Sequence, residues 1–168
     1  MIIIGLGGNL PSARFGSPQA TLNAALAALE EQGLRVTARS RWYESAPVPL
    51  TDQPWFVNGV AAVETDLSPK ALLALLLATE QHFGRVRSVP NAARIIDLDL
   101  LLYHDEVIND AEGLIIPHPR LHERAFVLLP LRDIAPDWRH PVLGLPLDDF
   151  IRRLPADQMI RPMADPDT

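Results

Sequence analysis

The stretch Ile95-Ile96-Asp97-Leu98-Asp99-Leu100-Leu101-Leu102-Tyr103 constrains this chain more than any other part of it. A continuous apolar run with acids at alternating positions reads as a β-strand, because side chains on a strand alternate between faces. Ile96, Leu98, Leu100 and Leu102 then share a wholly apolar face that must be core, and Asp97 and Asp99 share the other. Two carboxylates about 7 Å apart on one sheet face repel each other unless positive charge lies between them. Magnesium suits that place: it is a hard ion that binds carboxylate oxygens and keeps sites for phosphate oxygens and water. An edge strand with an acidic solvent face gives the same pattern, and on Asp-x-Asp alone that plainer reading has a slight edge.

The preceding loop shifts the balance. Arg85, Arg87 and Arg94 feed the strand with no acidic residue among them. Guanidinium groups fork well onto phosphate oxygens. A metal beside fixed cations is what a transferring phosphoryl group needs. The same arginines could instead pair directly with Asp97 and Asp99. Other candidates have plainer alternatives too. Glu80, near the end of a predicted helix, would usually be a surface acid. His118, stiffened between Pro117 and Pro119, suits a ligand contact but could be an ordinary loop histidine. Arg124 and Phe126 could serve phosphate and stacking, or a helix surface and core. Phe56 and Asn58 share a strand face and could hold a flat heterocycle, although a core aromatic beside a satisfied amide is commoner.

The remaining pattern sets the architecture. Ile2–Leu6 reads as a strand, followed by a Gly7-Gly8-Asn9 turn. Ser17-Pro18 and Ser68-Pro69 are helix starts, each a capping hydroxyl before a proline at the first helical position. Leu22, Ala25, Leu26 and Leu29 line the first helix, which Gly33 stops; Leu72, Leu73, Leu75 and Leu76 line the second, which Gly84 stops. Leu34–Tyr43, with Val36, Ala38 and Trp42 on one face, and Trp55–Glu64 read as strands between them. The order β-α-β-β-α-β predicts an α+β, ferredoxin-like sandwich. Extra C-terminal elements should follow: a hairpin through His104–Asn109, a strand near Ile115, and helices around Leu121–Leu131 and Leu147–Leu154. One domain over 1–168 is expected, with 155–168 as a flexible, proline-rich tail.

Composition bounds the function. A formal charge of −6 over 168 residues argues against broad nucleic-acid binding. The absence of cysteine excludes disulfides and thiolate chemistry and fits a cytoplasmic protein. No apolar run is long enough to span a bilayer. The glycines at 5, 7 and 8 lack the third glycine of a dinucleotide fingerprint, and neither a Walker A loop nor Gly-x-Ser-x-Gly occurs. A nucleotide would therefore be held by arginines and metal.

Taken together the motifs resemble one family. Gly5-Leu6-Gly7-Gly8-Asn9-Leu10, Asp52-Gln53-Pro54 with Phe56-Val57-Asn58, Glu80 with Gly84-Arg85-Val86-Arg87, Arg94 with Asp97-Leu98-Asp99, and Pro117–Phe126 occur in the order and spacing of the 6-hydroxymethyl-7,8-dihydropterin pyrophosphokinases of folate biosynthesis. The resemblance runs from Ile2 to about Phe150. It implies the ferredoxin-like fold and transfer of the pyrophosphoryl group of ATP to the pterin hydroxymethyl oxygen, releasing AMP. It implies Asp97 and Asp99 as ligands of two magnesium ions, and Arg85 and Arg94 as phosphate contacts with Arg87 as helper. Glu80, His118, Arg124 and the backbone around Leu100 match nucleotide-side positions. Phe56 and Phe126 match a pair that sandwiches the pterin, Asn58 its amide partner, and the Ser45, Pro47 and Val48 backbone the rest of that pocket. A monomer acting on ATP and the pterin, with no nucleic-acid or membrane partner, is the expectation. The loop Ser88–Ala93 departs from the family pattern: it is about one residue shorter and lacks the usual tryptophan. A catalytically silent nucleotide- or pterin-binding module and a metal-dependent phosphohydrolase are the competing readings.

Overall fold

Both Ser-Pro pairs start helices as their chemistry requires. Ser17 accepts the Ala20 N–H at 3.2 Å and opens α1 (Pro18–Glu31), and Ser68 accepts the Ala71 N–H at 3.2 Å and opens α2 (Pro69–His82). Gly33 and Gly84 follow with φ of 97° and 93°, the left-handed conformation that ends a helix and that side chains disfavour. A computed structural model describes residues 1–47, 52–84 and 95–163.

The strands are β1 (Ile2–Gly8), β2 (Arg35–Arg39), β3 (Tyr43–Ser45), β4 (Phe56–Glu64), β5 (Asp97–Tyr103), β6 (Ile108–Asn109), β7 (Ile115–Ile116) and β8 (Ile160–Pro162). The main sheet runs β5-β1-β4-β3-β8, with β2 also on β4, and its neighbours pair antiparallel. With β2 and β3 taken as one interrupted strand, this is the ferredoxin-like βαββαβ arrangement. On one face, Ile2, Ile4, Leu6, Leu98 and Leu100 pack against Leu22, Leu26 and Leu29 of α1 and Leu72 and Leu76 of α2. On the other, Ile3, Val60, Ala62, Leu101 and Leu102 pack against α3 (Ala125–Ile134) and α4 (Leu147–Arg152).

Several expectations fail for one reason, an extra residue in a strand. On β5 the pairing jumps from Ile3↔Leu102 to Ile4↔Leu100, so Leu101 is additional and Leu102 turns to the α3 face instead of joining Ile96, Leu98 and Leu100. On β2 the extra residue is Thr37, which sends Val36 and Ala38 to opposite faces. The strand expected over Leu34–Tyr43 breaks at Ser40–Trp42, where the Ser40 hydroxyl accepts the Val60 N–H at 3.0 Å. Gly7 and Gly8 belong to β1 rather than to a turn. The hairpin is formed by β6, at the end of the 104–109 segment, with β7. A 3-10 turn at Leu121–Glu123 precedes α3. The flexible tail expected from Pro155 is instead structured through Met163, because β8 pairs with β3; residues 164–168 lie outside the described residues.

Candidate active site

The site lies on the sheet face that also carries α3. Directly opposed residues of an antiparallel ladder share a face. The register therefore sets Asp97 of β5, Gly7 of β1, Asn58 of β4 and Tyr43 of β3 side by side, with Asp99 opposite Gly5 and Phe56 opposite Ser45. Asp97 and Asp99 are half-exposed while Ile96, Leu98 and Leu100 beside them are buried, as the alternation predicted. Gly5 and Gly7 make the floor beside the two acids. A Cβ on Gly7 would lie 2.8 Å from Asn58 Oδ1, so the amide lies across bare backbone. Asn58 is buried and donates Nδ2–H to Ser45 Oγ at 2.6 Å. Ser45 and Pro47 are buried next to it, and Phe56 and Phe126 are half-buried.

Glu80 corrects the surface reading. It is 1 % exposed, and its Oε2 accepts the Leu98 N–H at 2.8 Å, which fixes the main chain of β5 between Asp97 and Asp99. Leu100 sends its side chain into the core, so its main chain is what a ligand could meet. His118 follows the cis Ile116–Pro117 bond, and its N–H donates to Leu101 O at 3.0 Å. Burial first, then the positive charge of Arg124 and Arg120, push the His118 imidazole down from 6.5 to about 4, against the pull of Asp97. At pH 7 it is neutral and offers a hydrogen bond rather than a charge. The Arg124 guanidinium lies 5.2 Å from the Phe126 ring centroid, a cation–π contact.

Asp97, Asp99, His118, Arg124, Phe56, Asn58, Ser45 and Phe126 thus come from β5, the segment before α3, α3 itself, β4 and β3; Asp97 and Asn58 lie on either side of Gly7, and His118 is within electrostatic reach of Asp97. Arg85, Arg87, Arg94, Val48 and the 88–93 loop lie outside the described residues. Among the described residues no group of three or more His, Asp or Glu side chains gathers around a metal position. Two carboxylates that leave most of a coordination shell to water and phosphate oxygens fit magnesium.

Two contributors had weak sequence signals. Asn9, 1 % exposed, donates Nδ2–H to Gln53 Oε1 at 3.1 Å and Pro54 O at 3.0 Å, pinning the Asp52–Pro54 segment to the end of β1. Its only trace is the Gly-Gly-Asn run. Gln158 donates Nε2–H to Glu123 O at 2.9 Å and accepts the Ala125 N–H at 2.8 Å. It stood in what read as a tail.

The chain is similar to known proteins over most of its length. The chain is 43% identical over 159 residues to a 2-amino-4-hydroxy-6-hydroxymethyldihydropteridine pyrophosphokinase of Haemophilus influenzae, covering 94% of this chain and 95% of that one. It is 40% identical over 162 residues to the folic acid synthesis protein fol1 of Pneumocystis carinii; that match takes in 96% of this chain, which spans only 21% of the larger protein. A crystal structure of Plasmodium falciparum HPPK-DHPS shares the fold, with a TM-score of 0.70 at 17% identity over 90% of this chain and 42% of that one. Residues 3–136 match the profile described as 7,8-dihydro-6-hydroxymethylpterin-pyrophosphokinase, and the chain belongs to that family.

Proposed function

We propose that this chain transfers the pyrophosphoryl group of ATP to the hydroxymethyl oxygen of 6-hydroxymethyl-7,8-dihydropterin, releasing AMP, as a step of folate synthesis. The observation that carries the reading is the juxtaposition of two groups on one sheet face: the Asp97/Asp99 pair beside glycine backbone, and the Asn58–Ser45 amide pair on the far side of β1. The first suits a metal–triphosphate and the second a flat hydrogen-bonding heterocycle.

The pterin hydroxymethyl oxygen attacks the β-phosphorus of ATP as the bond to the α-phosphate oxygen breaks, and the hydroxyl proton passes to solvent. Asp97 and Asp99 would hold two magnesium ions, which supply charge neutralisation and in-line orientation of the phosphate oxygens. Arg85 and Arg94, with Arg87, take up negative charge on the transferring group. Glu80 keeps β5 in register, so the spacing of the two aspartates is set before ATP arrives. His118 and Arg124 contact the nucleotide, and the Leu100 main chain meets its base. Phe56 and Phe126 stack on the pterin, whose edge meets Asn58 and the Ser45–Val48 main chain.

Incubation with ATP, magnesium and the pterin tests this. AMP that appears only when the pterin is present is expected. AMP or phosphate formed without pterin supports a phosphohydrolase instead, and no turnover at all supports a silent binding module.

A further inference from the structure

The two halves of the proposed pterin pocket come from distant parts of the chain. Phe56, Ser45 and Asn58 belong to the β3–β4 side, and Phe126 to the first turn of α3. One short segment touches both. β8 pairs with β3, Ile160 opposite Ser45, and on either side of that pair Met159 O accepts the Ala46 N–H at 3.0 Å and Met163 N–H donates to Trp42 O at 2.8 Å. Arg161 reinforces the join: its guanidinium meets Glu44 at 3.0 Å and lies 5.1 Å from the ring centroid of Trp55, the neighbour of Phe56. Immediately before this strand, Gln158 bonds Glu123 O and the Ala125 N–H.

That second contact fills a need of α3. The residue before its first turn is Arg124, which has no acceptor to cap the helix and makes no side-chain cap. The first N–H groups of a helix have no partner within it. Gln158 Oε1 accepts one of them from 33 residues away in sequence, directly between Arg124 and Phe126.

We propose that the C-terminal strand sets the separation of the two aromatic walls, with Gln158 as a positioning residue for Phe126 and hence a determinant of pterin affinity. This rests on the pyrophosphokinase reading above. Gln158 touches neither substrate, so its effect should fall on one KM. In Gln158→Ala the pterin KM should rise about tenfold, with the ATP KM within about twofold of the parent. Gln158→Glu, which keeps an acceptor for the Ala125 N–H but loses the donor to Glu123 O, should recover part of the loss. Amide hydrogen exchange over Ala125–Val127 should quicken in Gln158→Ala and stay near the parent rate in Gln158→Glu. A Gln158→Ala enzyme with a lowered Tm but an unchanged pterin KM, or with both KM values raised alike, would overturn the proposal while leaving the activity in place. A parent chain that makes no AMP with the pterin would overturn the activity and this inference together.

Discussion

At the scale of single residues, what matters is two carboxylates set on one face of a single strand. Asp97 and Asp99 project from a strand whose neighbouring side chains are buried, over glycines that add no side chain. Their removal should therefore cost activity far more than stability. Asp97→Ala and Asp99→Ala are each expected to lower kcat by on the order of a hundredfold or more, with far-UV circular dichroism unchanged; near-normal turnover in either variant would sink the metal assignment. His118 carries a pH signature. Its pKa in the folded chain is about 4 against an ordinary 6.5, so between those values the unfolded chain binds a proton that the folded chain refuses. Its contribution is fully present above about pH 6.5 and is lost as pH falls toward 4. The Tm should drop across that window, and His118→Gln should drop less. An identical slope in the variant would show that the imidazole is not held neutral.

The elements show which parts of the structure a sequence carries. Both Ser-Pro helices were legible because cap, apolar spacing and terminal glycine are all local signals. The alternation of Asp97 and Asp99 against Leu98 was legible for the same reason. Leu102 was not, because the extra Leu101 arises in pairing with β1, and one inserted residue reverses every later side chain. Thr37 did the same to Ala38. Gly7 was misread as a turn because a glycine kept for close approach looks like one kept for flexibility. Its role as floor gives a sharp expectation. In Gly7→Ala the new Cβ would come within 2.8 Å of Asn58 Oδ1. The displaced amide should raise the pterin KM about tenfold with a smaller change in kcat. Unaltered steady-state constants would show that the Asn58 amide has room to yield.

Across the whole molecule, the ferredoxin-like order could be read because strands and helices alternate with clear periodicity. What could not be read was how the additions after β5 close the site. Glu80 resembled a surface acid because only β5 packed against α2 supplies the Leu98 N–H that it accepts. Residues 155–168 resembled a tail because they hold three prolines and five charged or amide residues, while the partners of 158–163 lie far off in sequence, on β3 and at the start of α3. The same long-range closure bounds the proposed nucleotide half and the proposed pterin half on one sheet face. The central claim is that the group crossing between those halves is pyrophosphoryl. Phosphorus-31 NMR of the products of one turnover reads it directly: a pterin diphosphate with AMP is the expected result, and a pterin monophosphate with ADP would contradict the account.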